Sequence, residues 1–166
     1  MANDSKPAWY FAYGSNLEPD RFRVRVGAWS ECRSAVLDGF RLRFSGDVRS
    51  EGAGGAFVEP AEGDRTYGAV YRIDRNQMRA MDEIELIPRH NVAGKAERRS
   101  VRVMTSLGPV DAEMYTLSRS HAYLAPSSTY LALILSGLRA VGYSEEVVER
   151  VRATAAAESD ADHLAG

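Results

Sequence analysis

A chain of 166 residues, 45% hydrophobic and 27% charged, is long enough for one globular domain with a sizeable core and short for two. Its net charge of -2, with arginines scattered among acids, gives no electrostatic reason to expect nucleic acid or an anionic membrane as a partner. The single cysteine, Cys32, excludes an internal disulfide and a cysteine-based metal cluster. It has no activating base nearby in sequence and reads as a buried or half-buried thiol. No run is apolar enough for a signal peptide or a bilayer span, so a cytoplasmic location is expected.

Residues Met1 to Ala8 are polar and contain Pro7, which predicts a loose leader. Trp9 to Tyr13 reads as a short buried strand that stops at Gly14, Ser15 and Asn16. Such a stop leaves backbone N–H groups that can face a ligand, and glycine lets the ligand approach closely. The pattern then turns helical from Glu18. Pro19 suits a first turn, Glu18 and Asp20 complement the helix dipole, and Phe22 and Val26 share a face. A turn that feeds a helix N-terminus is a good place to hold an anionic group.

Leu37 to Phe44 alternates as a half-buried strand, and 46–55 reads as a glycine-rich loop. Two further strands are predicted at Gly54–Val58 and Thr66–Ile73. Asp74 and Gln77 form a capping-box pattern that opens a helix to Glu85. Ser100–Thr105 and Val110–Leu117 make a hairpin around Leu107-Gly108-Pro109. A helix follows Ser127 or Ser128, with Leu131, Ile134, Leu135 and Leu138 at core spacing, and Gly142 breaks it. Ser144 caps a last helix carrying Val147, Val148 and Val151, with fraying expected from Ala155. Several strands, one inserted helix, a hairpin and terminal helices predict a single α+β domain over 9–154, with flexible termini at 1–8 and 155–166.

One residue is out of place. In the helix from Asp74, Met78, Met81 and Glu85 fall on one stripe, so a carboxylate ends an apolar face. Burial there raises a carboxyl pKa and makes a usable general base. The structural alternatives are that Glu85 swings out to water or pairs with Arg89 or Arg98. Asp82, one turn earlier, is better placed to orient a neighbour or cap a loop.

Tyr10 to Leu17 reads YFAYGSNL, and this string resembles the N-terminal signature of the γ-glutamylcyclotransferase-like (AIG2-like) family. The resemblance extends to the strand Tyr67-Gly68-Ala69-Val70-Tyr71, to Ala112-Glu113-Met114-Tyr115 and to the stretch Ala125 to Tyr130. It also includes Met81-Asp82-Glu83-Ile84-Glu85, which matches the segment that closes on the family's catalytic glutamate and assigns that place to Glu85. One departure stands out. Relatives usually show Gly after this glutamate and a Tyr several residues later, whereas here Leu86-Ile87-Pro88-Arg89-His90-Asn91-Val92 follows. That segment shapes the substrate end of the pocket in relatives and so bears on substrate identity.

The resemblance implies a small mixed β-barrel surrounded by helices. It implies cleavage of a γ-glutamyl amide by its own α-amine, releasing 5-oxoproline and a free amine, with Glu85 as general acid and base. Backbone N–H groups of Tyr13, Gly14, Ser15, Asn16 and Leu17 would bind the substrate α-carboxylate or a developing oxyanion. Tyr115 and Tyr130 would position the γ-glutamyl group or Glu85. No cofactor or metal is implied, and His90, His121 and His163 lack ligand spacing. The partner implied is a small γ-glutamyl metabolite, with no nucleic acid and no membrane, for a monomer or homodimer. The same chemistry on a γ-glutamyl-amine or a γ-glutamylated natural product, and a non-catalytic binding module, are the alternatives.

Overall fold

Alternating apolar residues build five strands: β1 (Pro7–Ala12), β2 (Glu31–Ser45), β3 (Gly55–Asp74), β4 (Ala96–Thr105) and β5 (Gly108–Leu117). The computed structural model describes residues 7–46, 53–86, 96–117 and 122–164, with side chains to residue 156. The strands close into a barrel in the order β1-β3-β2-β4-β5. Neighbours are antiparallel except β1 and β5, which meet in parallel at Tyr10 and Glu113. Closure leaves no free sheet edge along the core, whose centre is filled by Phe11, Leu37, Phe44, Val70 and Met114. The architecture is the small mixed barrel with surrounding helices that the sequence predicted.

Among the described residues, four helices lie around it: α1 (Pro19–Val26), α2 (Arg75–Glu85), α3 (Ser128–Ala140) and α4 (Glu145–Leu164). Helix α1 is capped by the Glu18 carboxylate, which accepts from the Arg21 N–H at 2.8 Å. It docks through Phe22, which is fully buried and stacks 4.3 Å from Tyr71 and 5.6 Å from Tyr10. Burying one such ring stabilises by about 1.5–3 kcal/mol, which outweighs the weak propensity of an eight-residue helix. Helix α2 starts with the expected capping box: Gln77 N–H donates to Asp74 at 2.8 Å and Asp74 N–H to Gln77 at 3.0 Å. Its buried Met78 and Met81 set the rotation of the helix and hence the direction of Glu85.

The element boundaries differ from the sequence reading in several places. Pro7 and Ala8 are not a loose leader but pair with Asp74 and Ile73. The two strands predicted at 54–58 and 66–73 are one strand, β3. Asp38 pairs with Arg65 and Phe40 with Pro60, so the four residues 61–64 bulge opposite Gly39. A proline and a glycine inside this stretch look like a turn in sequence, yet a bulge accommodates both without ending the ladder. Strands β2 and β4 begin earlier than predicted, because pairing, not alternation, holds their polar ends. The backbone of α4 is helical to Leu164, and Ala155, expected to start a frayed tail, is buried with its carbonyl accepting from the Tyr123 hydroxyl at 3.0 Å.

Candidate active site

Strand β1 delivers the chain into a single helical turn, Ser15–Leu17, at one wall of a cavity of about 730 Å³. Leu17 N–H donates to Gly14 O at 3.0 Å and Glu18 N–H to Ser15 O at 3.3 Å. The first N–H groups of such a turn have no partner within it, so the turn itself does not use those of Ser15 and Asn16. Gly14 sits in a close approach: a Cβ there would lie 3.3 Å from the Tyr130 hydroxyl and 3.4 Å from Ala56 Cβ, so the Tyr130 hydroxyl would have to give by a few tenths of an ångström.

The turn is held from behind. Leu17 is fully buried, and its carbonyl accepts from the Tyr71 hydroxyl at 3.1 Å. Helix α3 crosses directly over it at Gly137, where a Cβ would come within 2.6 Å of Leu17 backbone and side chain. Leu17 thus departs from the expectation that it binds ligand. Its N–H closes the turn and its side chain fills the core, so it anchors the site without facing it.

Glu85 enters the same cavity from the C-terminal end of α2. Its side chain is 29% exposed, more open than a position on the apolar stripe predicts, because the helix ends there and the carboxylate meets the cavity. Of the two arginines considered from sequence, Arg98 instead pairs with Asp82 at 2.8 Å and approaches Glu113 at 3.8 Å. Arg89, with the rest of the atypical segment after Leu86, lies outside the described residues. A cation near Glu85 is Arg25 of α1, with Nη2 at 3.8 Å from Oε1. Its Nη1 donates to Asn16 Oδ1 at 2.8 Å, and Asn16 Nδ2 donates to the Tyr10 hydroxyl at 3.1 Å.

Four tyrosines complete the cavity wall: Tyr10, Tyr13, Tyr115 and Tyr130. Burial, above all, raises the pKa of each, and the negative charge of Glu85 adds to this at Tyr10, Tyr13 and Tyr130. All four therefore stay protonated near neutrality, but they are not equally free. Tyr13 donates to the Tyr115 carbonyl, and Tyr115 donates to Asp82 at 2.6 Å. Tyr115 is thus engaged with Asp82, not Glu85. Asp82 accordingly orients a neighbour, in line with its position one turn before Glu85. By contrast, the Tyr10 hydroxyl accepts from Asn16 Nδ2 and the Tyr130 hydroxyl from Ala56 N–H at 3.0 Å, with the Ser15 side chain also bonded to Tyr130, and neither is tied to Asp82.

Sequence reasoning missed Tyr10, Arg21 and Arg25, all of which line the cavity. A signal was present for the arginines. They are four apart on the helix that follows the turn, on a face adjoining Phe22. The cavity thus sets two cations and one carboxylate among neutral hydroxyls and backbone N–H groups. Such a lining suits a small polar ligand carrying both charges. Among the described residues no group of three His, Cys, Asp or Glu could hold a metal ion, and no helix is long and apolar enough to cross a membrane. His90, His121 and the side chain of His163 lie outside the described residues.

A closed barrel with a Gly-Ser-Asn turn and a glutamate facing one cavity is the arrangement that the family resemblance implied. The family model described as "Gamma-glutamyl cyclotransferase, AIG2-like" matches residues 10–132, and the chain belongs to that family. It is 28% identical to the Mus musculus gamma-glutamylcyclotransferase over 148 residues, covering 87% of this chain and 77% of that protein. It is 27% identical to the Homo sapiens gamma-glutamylcyclotransferase over 154 residues, covering 90% and 80%. A solved structure titled gamma-glutamyl cyclotransferase superposes with a TM-score of 0.78 at 25% identity, covering 89% of this chain and 88% of that one.

Proposed function

We propose that this protein is a γ-glutamylcyclotransferase-type enzyme that converts a γ-glutamyl amide into 5-oxoproline and a free amine, with Glu85 as general acid and base. The observation that carries this reading is that Glu85 and Gly14, Ser15 and Asn16 of the turn line one cavity. Membership of the family supports the same reaction class.

The proton balance shows what the site must do. The α-ammonium of the substrate loses two protons in becoming the lactam N–H, and the leaving nitrogen gains two. Glu85 takes the first, which frees the amine to attack the γ-carbonyl, and passes it to the leaving nitrogen. The second follows the same route as the C–N bond to the leaving group breaks. The N–H groups of Ser15 and Asn16 and the hydroxyls of Tyr10 and Tyr130 receive the negatively charged oxygens of the substrate and of the tetrahedral adduct. Nucleophile and electrophile belong to one molecule, so the cavity mainly has to hold the folded-back conformer.

The test is 5-oxoproline release from a panel of γ-glutamyl amino acids, γ-glutamyl-lysine and γ-glutamyl-amines, with Glu85→Gln alongside. Turnover of at least one member, reduced by about 100-fold or more in Glu85→Gln, is expected for loss of a general base. Turnover that survives the substitution removes Glu85 from the mechanism. Equal calorimetric binding of γ-glutamyl compounds by both proteins, with no turnover, makes the protein a binding module.

A further inference from the structure

We propose that Arg25 is a positioning residue that couples the Gly14–Leu17 turn to Glu85 and keeps the carboxylate ionised and oriented. This rests on the reading of Glu85 as the base. The geometry is a chain of contacts across four elements. Tyr10 on β1 accepts from Asn16 of the turn, Asn16 accepts from Arg25 of α1, and Arg25 faces Glu85 of α2 at 3.8 Å. Asn16 is only 5% exposed, so its bond to the guanidinium is not a surface accident. Docking of Phe22 fixes α1, and with it the origin of the Arg25 side chain.

The chemistry needs such a group. A base that must accept a proton from an ammonium has to be a carboxylate first, yet it stands in a wall of buried hydroxyls. Among the described residues, the other titratable groups lining the same cavity are Tyr10, Tyr13, Tyr115 and Tyr130, all neutral, and the cations Arg21 and Arg25. On its own helix, Asp82 is committed to Arg98 and Tyr115. An opposite charge about 4 Å away favours the ionised form. A guanidinium also supplies two separate donors, one for Asn16 and one for Glu85, which the point charge of a lysine does less well. When Glu85 is protonated in the reaction, the Asn16 bond still holds Arg25 in place, ready to receive the carboxylate again.

The experiment compares wild type with Arg25→Met, Arg25→Gln and Arg25→Lys. The ¹³C carboxyl titration of Glu85, its signal identified by loss in Glu85→Gln, reads the coupling without any need for turnover. Removal of the cation raises the titration midpoint by about one pH unit in Arg25→Met and Arg25→Gln, and Arg25→Lys moves it much less. The acid limb of kcat/KM for 5-oxoproline release moves upward by the same amount, with kcat falling about tenfold and KM changing less. A midpoint unmoved in both neutral variants overturns the proposal even if turnover is intact. A midpoint that rises in a protein without cyclotransferase turnover upholds the coupling and overturns the proposed function alone. Arg25 is only partly buried, and the paired neutral variants keep the test decisive if one of them folds poorly.

Discussion

Replacing Gly137 by alanine pits two effects of opposite sign against each other. Gly137 lies inside α3, where alanine is favoured over glycine by about 0.8–1 kcal/mol. Against this, the added methyl would stand 2.6 Å from Leu17 C and Cβ and 2.7 Å from Glu18 N. Carbon atoms rest at about 3.5–4.0 Å, so the helix or the turn has to retreat by roughly 1 Å. Neither can do so freely, because Leu17 is fully buried and its carbonyl is bonded to Tyr71. Overpacking of this kind costs about 1–3 kcal/mol, so the net effect is a loss of up to about 2 kcal/mol. For a chain of this size that lowers Tm by up to about 8 °C. The retreat also shifts the N–H groups of Ser15 and Asn16, and a displacement of about 1 Å can lower kcat/KM by about 100-fold. Thermal and urea unfolding measure the first effect and 5-oxoproline release the second. Ala132→Gly, at an exposed site of the same helix, calibrates the propensity difference. A Gly137→Ala protein that is more stable than wild type, as propensity alone would make it, refutes the close packing of α3 on the turn.

Two further outcomes follow from the same structure. Burial raises the Tyr143 pKa from its ordinary 10.0 to about 12, with its hydroxyl 2.7 Å from Gly68 O and 2.9 Å from Ala35 O. A folded-state pKa above the unfolded one gives stability that is complete below pH 10 and lost as pH rises from 10 to 12. Urea titrations at stepped pH should therefore show stability falling across that range, and falling less steeply in Tyr143→Phe; an unchanged slope would rule out this contribution. Asp74→Ala removes one half of the α2 capping box and should cost about 0.5–2 kcal/mol in chemical denaturation. Because α2 carries Glu85, the same variant should show a lower kcat, and a cost below experimental error would mean that the cap does not hold the helix.

Much of the site is local and therefore legible. YGSNL needs only neighbouring residues to become a strand that ends in a turn, and the Asp74–Gln77 box announces α2 for the same reason. The stripe Met78, Met81, Glu85 follows from helical periodicity, and it correctly brings Glu85 to the cavity. What sequence could not supply was the company each residue keeps. Pro60 and Gly63 signal a turn to any local reading, and only pairing with β2 keeps both inside one strand, Pro60 opposite Phe40 and Gly63 in the adjoining bulge. Tyr115 and Tyr130 look alike as candidates, yet one hydroxyl donates to Asp82 while the other accepts from Ala56 N–H beside the turn. Leu17 belongs to the signature string, but burial under α3 makes it an anchor.

The amino-acid sequence by itself determined the α+β class, the turn and the helix that bears the carboxylate. These depend on periodicity, capping and turn chemistry, which act over a few residues. Closure of the barrel decided the rest. It brought residues 10, 16, 25 and 85 into one chain of contacts and set Arg25 near Glu85 while Arg98 went to Asp82. Long-range packing chooses partners by shape and charge in three dimensions, and no spacing along the chain encodes that choice.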